Sequence, residues 1–205
     1  MANAFALFDF LFIAEKLYAK FGTATFGEIH LFSYLACLLS LFRGQPVAGW
    51  GYNFAGLDSG SPFSAELQAG CPALEFVGLI ACKAGSVTMT SEGTNQLQFL
   101  SALRQFSSRQ SYLTAACESL LCLPIGSVRN ALSMEPGLRP ALKFGGTRPL
   151  LEETALGQLH EHFDALYHVL GDSQDLLVPS TVWLTYLLEL AQRHDSDVMQ
   201  HGKLK

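Results

Sequence analysis

The sequence predicts a mainly α-helical protein with a small β-hairpin: a winged-helix-like N-terminal half (residues 1–108) followed by a helical extension (residues 109–205). Two long apolar segments near the N-terminus predict buried helices. Residues 60–93 then predict a helix, a hairpin and the start of another helix, which is the order of elements in a winged helix. The remaining chain has helical composition and no internal repeat.

The two N-terminal helices are predicted over residues 4–21 and 26–42, and a glycine follows each within two residues. Apolar residues occupy several faces of both segments, so we expect both helices to be buried. The next stretch, "QPVAGWGYNFAGLDSG", has no helical period. We expect it to form a loop that packs Trp50, Tyr52 and Phe54 onto the core.

A third helix is predicted to begin at Ser61 and Pro62. A serine side chain can accept a hydrogen bond from the free amides, and a proline at the first helical position loses no hydrogen bond. Because Gly70 and Pro72 interrupt the helical pattern, we expect two short helices divided near Cys71.

The hairpin, or wing, is predicted within "LIACKAGSVTMT", where two short apolar arms flank Ala84 and Gly85. Thr90 is placed to cap a helix that runs to about Phe106. Beyond it we expect further helices, a glycine- and proline-rich loop over residues 135–151, helices at about 151–170 and 180–193, and a polar tail that frays.

Composition points to a partner-binding protein. Charged residues make up only 15% of the 205 residues and hydrophobic ones 49%, so part of the apolar surplus is expected to face a partner. The longest apolar run, residues 29–42, is too short for a membrane span. The N-terminus lacks the basic region and cleavage site of a secretory signal, and five cysteines without a CxxC pair favour reduced thiols. We therefore expect a cytoplasmic protein.

The charge of the predicted winged helix has the wrong sign for DNA. The net charge of the chain is −5, and residues 60–93 carry Glu66, Glu75, Glu92 and Lys83, a net of −2. A helix that enters the major groove needs basic residues around it for phosphate contacts. We therefore expect this winged helix to dock onto protein rather than to read sequence.

Positive charge concentrates later in the chain. Between residues 104 and 148 six basic residues face two acidic ones. Arg129 is expected on a short helix, whereas Arg139, Lys143 and Arg148 are expected on the flexible loop, where they can turn toward phosphates. We predict these four residues as contacts for nucleic acid or an acidic partner; the alternative is that they only solvate an apolar protein.

Catalytic chemistry is not predicted, and neither is a cofactor. The sequence contains no GxxxxGK[ST], GxSxG, CxxC or HExxH motif. His160, Asp164 and His168 would share one helix face, which leaves a metal-dependent hydrolase as an alternative. However, the two histidines are about 12 Å apart along the helix axis, too far for one ion to join easily. We expect no metal site.

The stretch "WGYNFAGLDSGSPFSAELQAGCPALEFVGLI" followed by "GSVTMTSEG" resembles two bacterial groups, over roughly residues 5–103. One comprises the small winged-helix middle components of three-component defence systems built on an ABC or SMC-like ATPase (Lamassu-type). The other comprises Panacea-type antitoxin domains. Neither resemblance carries a catalytic residue onto this chain.

The first resemblance implies a non-catalytic accessory or scaffold subunit that bridges an SMC-like ABC ATPase and an effector nuclease in defence against phage or plasmid DNA. Such a subunit is part of a hetero-oligomer, meets DNA through the complex and needs no membrane. The second resemblance implies an antitoxin that binds a toxin. A third alternative, from the element order alone, is a winged-helix transcriptional regulator.

Overall fold

The protein, as a computed structural model, is mainly helical with small antiparallel sheets. The structure describes residues 3–171 and 175–202, and the side chains as far as residue 194. The chain forms two compact units. The first unit comprises Met1–Ala55 and Pro62–Glu118, and the second comprises Gly56–Ser61 and Ser119–Lys205. The division falls inside a helix near residue 118 rather than at the predicted residue 108, since the start of that helix packs with the first unit.

Short strands alternate with helices in the first part of the chain, and helices dominate the rest. The first part contains α1 (Ala4–Phe21), β1 (Ala24–Thr25), α2 (Phe26–Phe42), a 3-10 turn (Val47–Trp50), β2 (Ala55–Gly56), β3 (Pro62–Phe63), α3 (Ala65–Phe76), β4 (Ile80–Lys83), β5 (Ser86–Met89), α4 (Ser91–Ser101) and a second 3-10 turn (Arg104–Phe106). The rest contains α5 (Ser107–Cys122), α6 (Ile125–Ser133), α7 (Leu138–Phe144), β6 (Arg148–Pro149), α8 (Glu153–Leu170) and α9 (Leu177–Gly202).

The two N-terminal helices have the predicted bounds. Asn3 caps α1 by accepting hydrogen bonds from the amides of residues 5 and 6, and Gly22 ends it in the left-handed conformation (φ 76°). Thr25 and Glu28 form a capping box at the start of α2. Both helices are buried along most of their length, as their apolar composition predicts.

The hairpin is confirmed. Strands β4 and β5 pair antiparallel, with Ile80 opposite Met89, and β1 adds to the other edge of β5 to give the sheet order β1-β5-β4. Ala84 (φ 50°) and Gly85 (φ 80°) both have positive φ, which a two-residue turn between twisted strands requires. Thr90 caps α4, as predicted, by accepting from the amide of Gly93 (3.0 Å).

The predicted start of the third helix is wrong by three residues. Pro62 and Phe63 are extended as β3, and Ser64, rather than Ser61, accepts from the amide of Leu67 and caps α3. Ser64 caps the helix in place of Ser61 because its backbone amide donates to His30, a buried histidine of α2. This hydrogen bond fixes Ser64 in the extended conformation that a cap residue needs.

The predicted division of this helix near Cys71 is also wrong, because α3 continues through Gly70 and Pro72. Leu67, Cys71 and Leu74 are buried on one side of α3, whereas Pro72 is exposed. The packing of the buried side stabilises the helix enough to tolerate the amide hydrogen bond that proline cannot donate.

Three later elements also differ from the sequence expectation. Helix α4 ends at Ser101 instead of continuing to about Phe106, because Phe106 turns inward and stacks on Phe8 with their ring centroids 4.1 Å apart. The glycine- and proline-rich segment after residue 135 is helical over α7 rather than a loop. Helix α9 extends to Gly202, beyond the predicted end at residue 193; the last part of the predicted tail, residues 203–205, lies outside the described residues.

No single helix among the described residues is both long enough and apolar enough to span a membrane. One bent pair meets both criteria when its two parts are counted together, namely Arg104–Cys122 and Ile125–Ser133, which meet at an angle of 114°.

Candidate interaction surfaces

A buried ion pair lies in the core of the first unit. Arg109 on α5 donates from Nε to Asp9 Oδ1 (2.5 Å) and from Nη2 to Asp9 Oδ2 (2.7 Å), a bidentate pair between side chains that are 6% and 0% exposed. The third guanidinium nitrogen, Nη1, donates to the carbonyl oxygen of Trp50 (2.8 Å). The guanidinium carbon also lies 3.7 Å from the ring centroid of Trp50, which is a cation–π contact.

Two hydroxyl groups complete this network. Tyr52 donates its hydroxyl hydrogen to Asp9 Oδ2, so Ser33 is the donor in the 2.5 Å hydrogen bond between Ser33 Oγ and the Tyr52 hydroxyl. Burial raises the pKa of Asp9, while Arg109 and the two hydroxyls oppose that shift. The network joins α1, α2, α5 and the loop that follows the first 3-10 turn.

This network changes the charge expected at the surface. Arg109 is one of the six basic residues that give residues 104–148 a positive net charge in the sequence. In the structure the buried Asp9 carboxylate neutralises its guanidinium inside the core. The sequence did not indicate the pair, since its members are one hundred residues apart. The surface charge of this segment is therefore carried by the other basic residues.

A buried histidine holds the start of α3. His30 on α2 accepts at Nδ1 from the amide of Ser64 (3.1 Å), and its ring stacks on Phe63 with centroids 5.1 Å apart. Burial lowers the pKa of His30 to about 4, partly opposed by a hydrogen bond with Gln68. Neutral His30 thus positions the first turn of α3.

Helix α3 exposes apolar residues on its outward side and carries one glutamate on each flank. Helix α3 contains no lysine or arginine, and Glu75 uses a carboxylate oxygen to accept from the amide of Cys82 (3.0 Å). At its end Phe76 is 91% exposed and Val77 is 59% exposed. Glu66 and Glu75 are nine residues apart and therefore lie on opposite flanks of α3, with Phe76 and Val77 at its C-terminal end. We call these four side chains the acidic–apolar face.

A second surface, in the second unit, is basic and aromatic. Lys143 Nζ lies 5.3 Å from the ring centroid of Phe144, and the Arg148 guanidinium carbon lies 5.5 Å from the same centroid. Gly145 (φ 66°) and Gly146 (φ 81°) have positive φ and turn the chain back after α7, so that Arg148 returns to the aromatic ring. Phe144 is 63% exposed, which leaves it open to stacking.

The four predicted contact residues are all exposed, but the structure corrects their setting. Arg139 and Lys143 are on α7 and not on a loop, and their four-residue spacing places them on one side of that helix. Arg129 is on α6, a short helix as predicted, which packs against α7. We call Arg139, Lys143, Phe144 and Arg148 the basic–aromatic cluster.

Phe144 was missed by the sequence reasoning, although a signal for it was present. The stretch "KFGGTR" places one aromatic residue between two basic ones with flexible glycines. That combination is typical of surfaces that stack on bases and pair with phosphates.

The residues of the alternative metal site do not converge. His160, Asp164 and His168 are exposed along α8. Within residues 3–171 and 175–202, no three His, Cys, Asp or Glu side chains are grouped so as to hold a metal ion.

Helices α8 and α9 border an apolar groove of about 340 Å³. Burial lowers the pKa of His162, whose ring lies edge-on to Tyr186 at 5.4 Å. The lining residues are Glu161, His162, Ala165, Leu166, Val169, Val182, Trp183 and Tyr186. The groove is a further apolar surface of the second unit.

Comparison of the chain with protein-family models, with curated proteins and with solved structures finds no significant match. What the protein does is therefore inferred from its own residues and their geometry.

Proposed function

We propose that this chain is a non-catalytic accessory subunit whose first unit docks onto a protein partner through the acidic–apolar face. The observation that carries this proposal is the exposed part of α3, which has a glutamate on each flank, no basic side chain and a terminal Phe76 that is 91% exposed. An exposed aromatic side chain of this size is typical of an anchor in a protein interface. Phosphate binding needs the opposite charge.

We further propose that the first unit is a winged helix. Its order α1-β1-α2-α3-β4-β5 and its sheet order β1-β5-β4 support this arrangement, with α3 in the place of the recognition helix and β4–β5 as the wing. A winged helix that lacks basic residues at this position is suited to holding protein, because nothing there neutralises phosphates.

The proposed setting is a cytoplasmic anti-phage or anti-plasmid defence complex, in which the subunit bridges an SMC-like ABC ATPase and an effector nuclease. The support for this specific assembly is the resemblance of residues 50–93 to the Lamassu-type middle components. The basic–aromatic cluster of the second unit would then touch DNA held by the complex, or an acidic partner.

The test is affinity purification of the tagged protein from its host at moderate salt, with mass identification of all bound chains. An SMC-like ATPase together with a nuclease-like chain would support the bridging role. A small toxin alone would favour the Panacea-type antitoxin instead. A free dimer that shifts specific DNA with a steep salt dependence would favour a transcriptional regulator.

The acidic–apolar face provides a direct mutational prediction. Phe76→Ser is expected to weaken capture of the partner at least tenfold, because the variant removes the most exposed aromatic anchor. Phe99→Ser, which changes another exposed aromatic residue of the first unit, is the matched control and should retain the partner. Equal capture by both variants and the parent protein would exclude this face as the docking surface.

The basic–aromatic cluster provides a second prediction. Reversing charge in Arg139→Glu/Lys143→Glu/Arg148→Glu is expected to reduce DNA engagement or partner assembly without unfolding the protein, because all three side chains are exposed. If these residues bind DNA phosphates, the slope of log affinity against log salt should fall by about one for each phosphate that is no longer bound.

The control for this variant is a triple charge reversal of exposed residues in the first unit, Lys16→Glu/Lys83→Glu/Arg104→Glu, which changes the net charge equally. Equal weakening by both triple variants would mean that only net charge matters. Unchanged DNA binding, assembly and defence in the first variant would remove the cluster from the proposal.

A further inference from the structure

Two thiols that are distant in sequence meet in the first unit. Cys71 on α3 and Cys82 on β4 are eleven residues apart, and their Sγ atoms lie 3.1 Å from each other. Both are free thiols. Their spacing matches no cysteine motif, so the pair becomes evident only in the folded chain.

Both thiols are held in place by their own elements. Cys71 lies between Leu67 and Leu74 on the buried side of α3. The backbone amide of Cys82 donates to a carboxylate oxygen of Glu75, and Cys82 pairs with Val87 across the hairpin. Because α3 and β4 hold the two residues in this way, the two sulfur atoms are already 3.1 Å apart in the folded protein.

The two thiols differ in access. Cys71 is 5% exposed, whereas Cys82 is partly exposed. Burial and the neighbouring Cys82 raise the pKa of Cys71 to about 12, which keeps its thiol protonated near neutral pH. A small oxidant in solution therefore reaches Cys82 first, and Cys71 is positioned to react with the product.

We propose that Cys71 and Cys82 form an oxidation site at which a hydroperoxide closes a reversible disulfide between α3 and the wing hairpin. In the first step Cys82 Sγ attacks the hydroperoxide, the O–O bond breaks, and Cys82 becomes a sulfenic acid while water or an alcohol leaves. In the second step Cys71 Sγ attacks the Cys82 sulfur, the S–S bond forms, the S–O bond breaks, and water leaves with the proton of Cys71. The thiols lose two electrons and two protons, which the hydroperoxide takes up.

Reduction reverses the reaction. The thiolate of a small dithiol attacks one sulfur of the disulfide, and its second thiol completes the exchange, which returns both cysteines to thiols. The disulfide-bonded form should be more stable than the dithiol form, because the bond between residues 71 and 82 restricts the conformations of the unfolded chain. We expect the melting temperature of the first unit to rise by roughly 5–10 °C on oxidation.

The experiment treats the full chain carrying Cys122→Ser, which removes the exposed thiol, with stoichiometric hydrogen peroxide. We expect an intact mass about 2 Da lower, restored by dithiothreitol. Cleavage after glutamate separates residues 67–75 from residues 76–92, so a covalent link between these two peptides identifies the bond.

The single variants test the order of the steps. Cys71→Ser should stop at a Cys82 sulfenic acid that a 1,3-dione traps, and Cys82→Ser should give neither link nor adduct at residue 71. A Cys117→Ser control, which changes a buried thiol elsewhere, should still form the link. Thiols at 71 and 82 that both remain alkylatable after treatment, or a Cys82 sulfinic acid without the link, would overturn the proposal.

Discussion

Replacing Arg109 with methionine is expected to lower the free energy of unfolding of the first unit by about 3–5 kcal/mol. The substitution leaves the Asp9 carboxylate, which is 0% exposed, without the two hydrogen bonds and the charge that compensate for its burial. It also removes the donor to the Trp50 carbonyl oxygen and the cation–π contact with the Trp50 ring. Asp9→Leu alone should cost a similar amount, since it leaves a buried guanidinium unpaired.

The double variant Asp9→Leu/Arg109→Met is expected to cost much less than the two single variants together, because it removes both charges at once. Trp50 and Trp183 lie in different units, so a Trp183→Phe background leaves Trp50 fluorescence as the reporter of the first unit during urea unfolding. Arg104→Met, at an exposed arginine nearby, is the control and should stay within about 0.5 kcal/mol of the parent. A loss below about 1 kcal/mol in Arg109→Met would contradict the expected role of the pair.

The elements that sequence reasoning predicted correctly depend on neighbouring residues. Helix α1 begins and ends where Asn3 and Gly22 place it, and the hairpin turns at Ala84 and Gly85. In each case the conformation follows from the residues that adopt it: a cap, a left-handed glycine, or two positive φ angles in a tight turn. Short-range chemistry was therefore sufficient for these bounds.

The elements that it predicted wrongly depend on contacts across the fold. Helix α3 begins at Ser64 because His30, from α2, holds the preceding amide, and it survives Pro72 because its opposite side is buried. The glycine and proline content of the segment around α7 predicts a loop. However, Leu138 and Ala141 are fully buried, and their packing stabilises the helix. Tertiary packing outweighed local propensity in both places.

The candidate surfaces were predictable in composition but not in geometry. The sequence indicated the acidic character of the α3 region and named four of the five exposed basic residues between residues 104 and 148. It could not indicate that Arg109 is paired inside the core, nor that Cys71 meets Cys82, because both pairs form only when separate elements pack. Each unit consequently presents a surface of its own: acidic and apolar in the first, basic and aromatic in the second.

His30 makes the stability of the first unit depend on pH. Burial lowers its pKa from 6.5 to about 4 in the folded protein, so between these values the unfolded chain binds a proton that the folded protein does not. The stabilisation is complete above pH 6.5 and is lost as pH falls toward 4. The shift corresponds to about 3 kcal/mol at about 1.4 kcal/mol per pKa unit. The measurement is the free energy of unfolding by urea, followed by Trp50 fluorescence between pH 4 and pH 7.

The variant His30→Asn isolates this contribution. Asparagine keeps an oxygen that can accept from the Ser64 amide but has no titrating group, so the parent should lose stability relative to the variant as pH falls. The carboxylates common to both proteins cancel in the difference. His30 is also the only histidine in the sequence of the first unit, and His160→Asn in the second unit should leave the difference unchanged. Parallel pH profiles for the parent and His30→Asn would mean that the pKa of His30 is the same in the folded and unfolded chain, and would exclude a buried neutral His30 that accepts from the Ser64 amide.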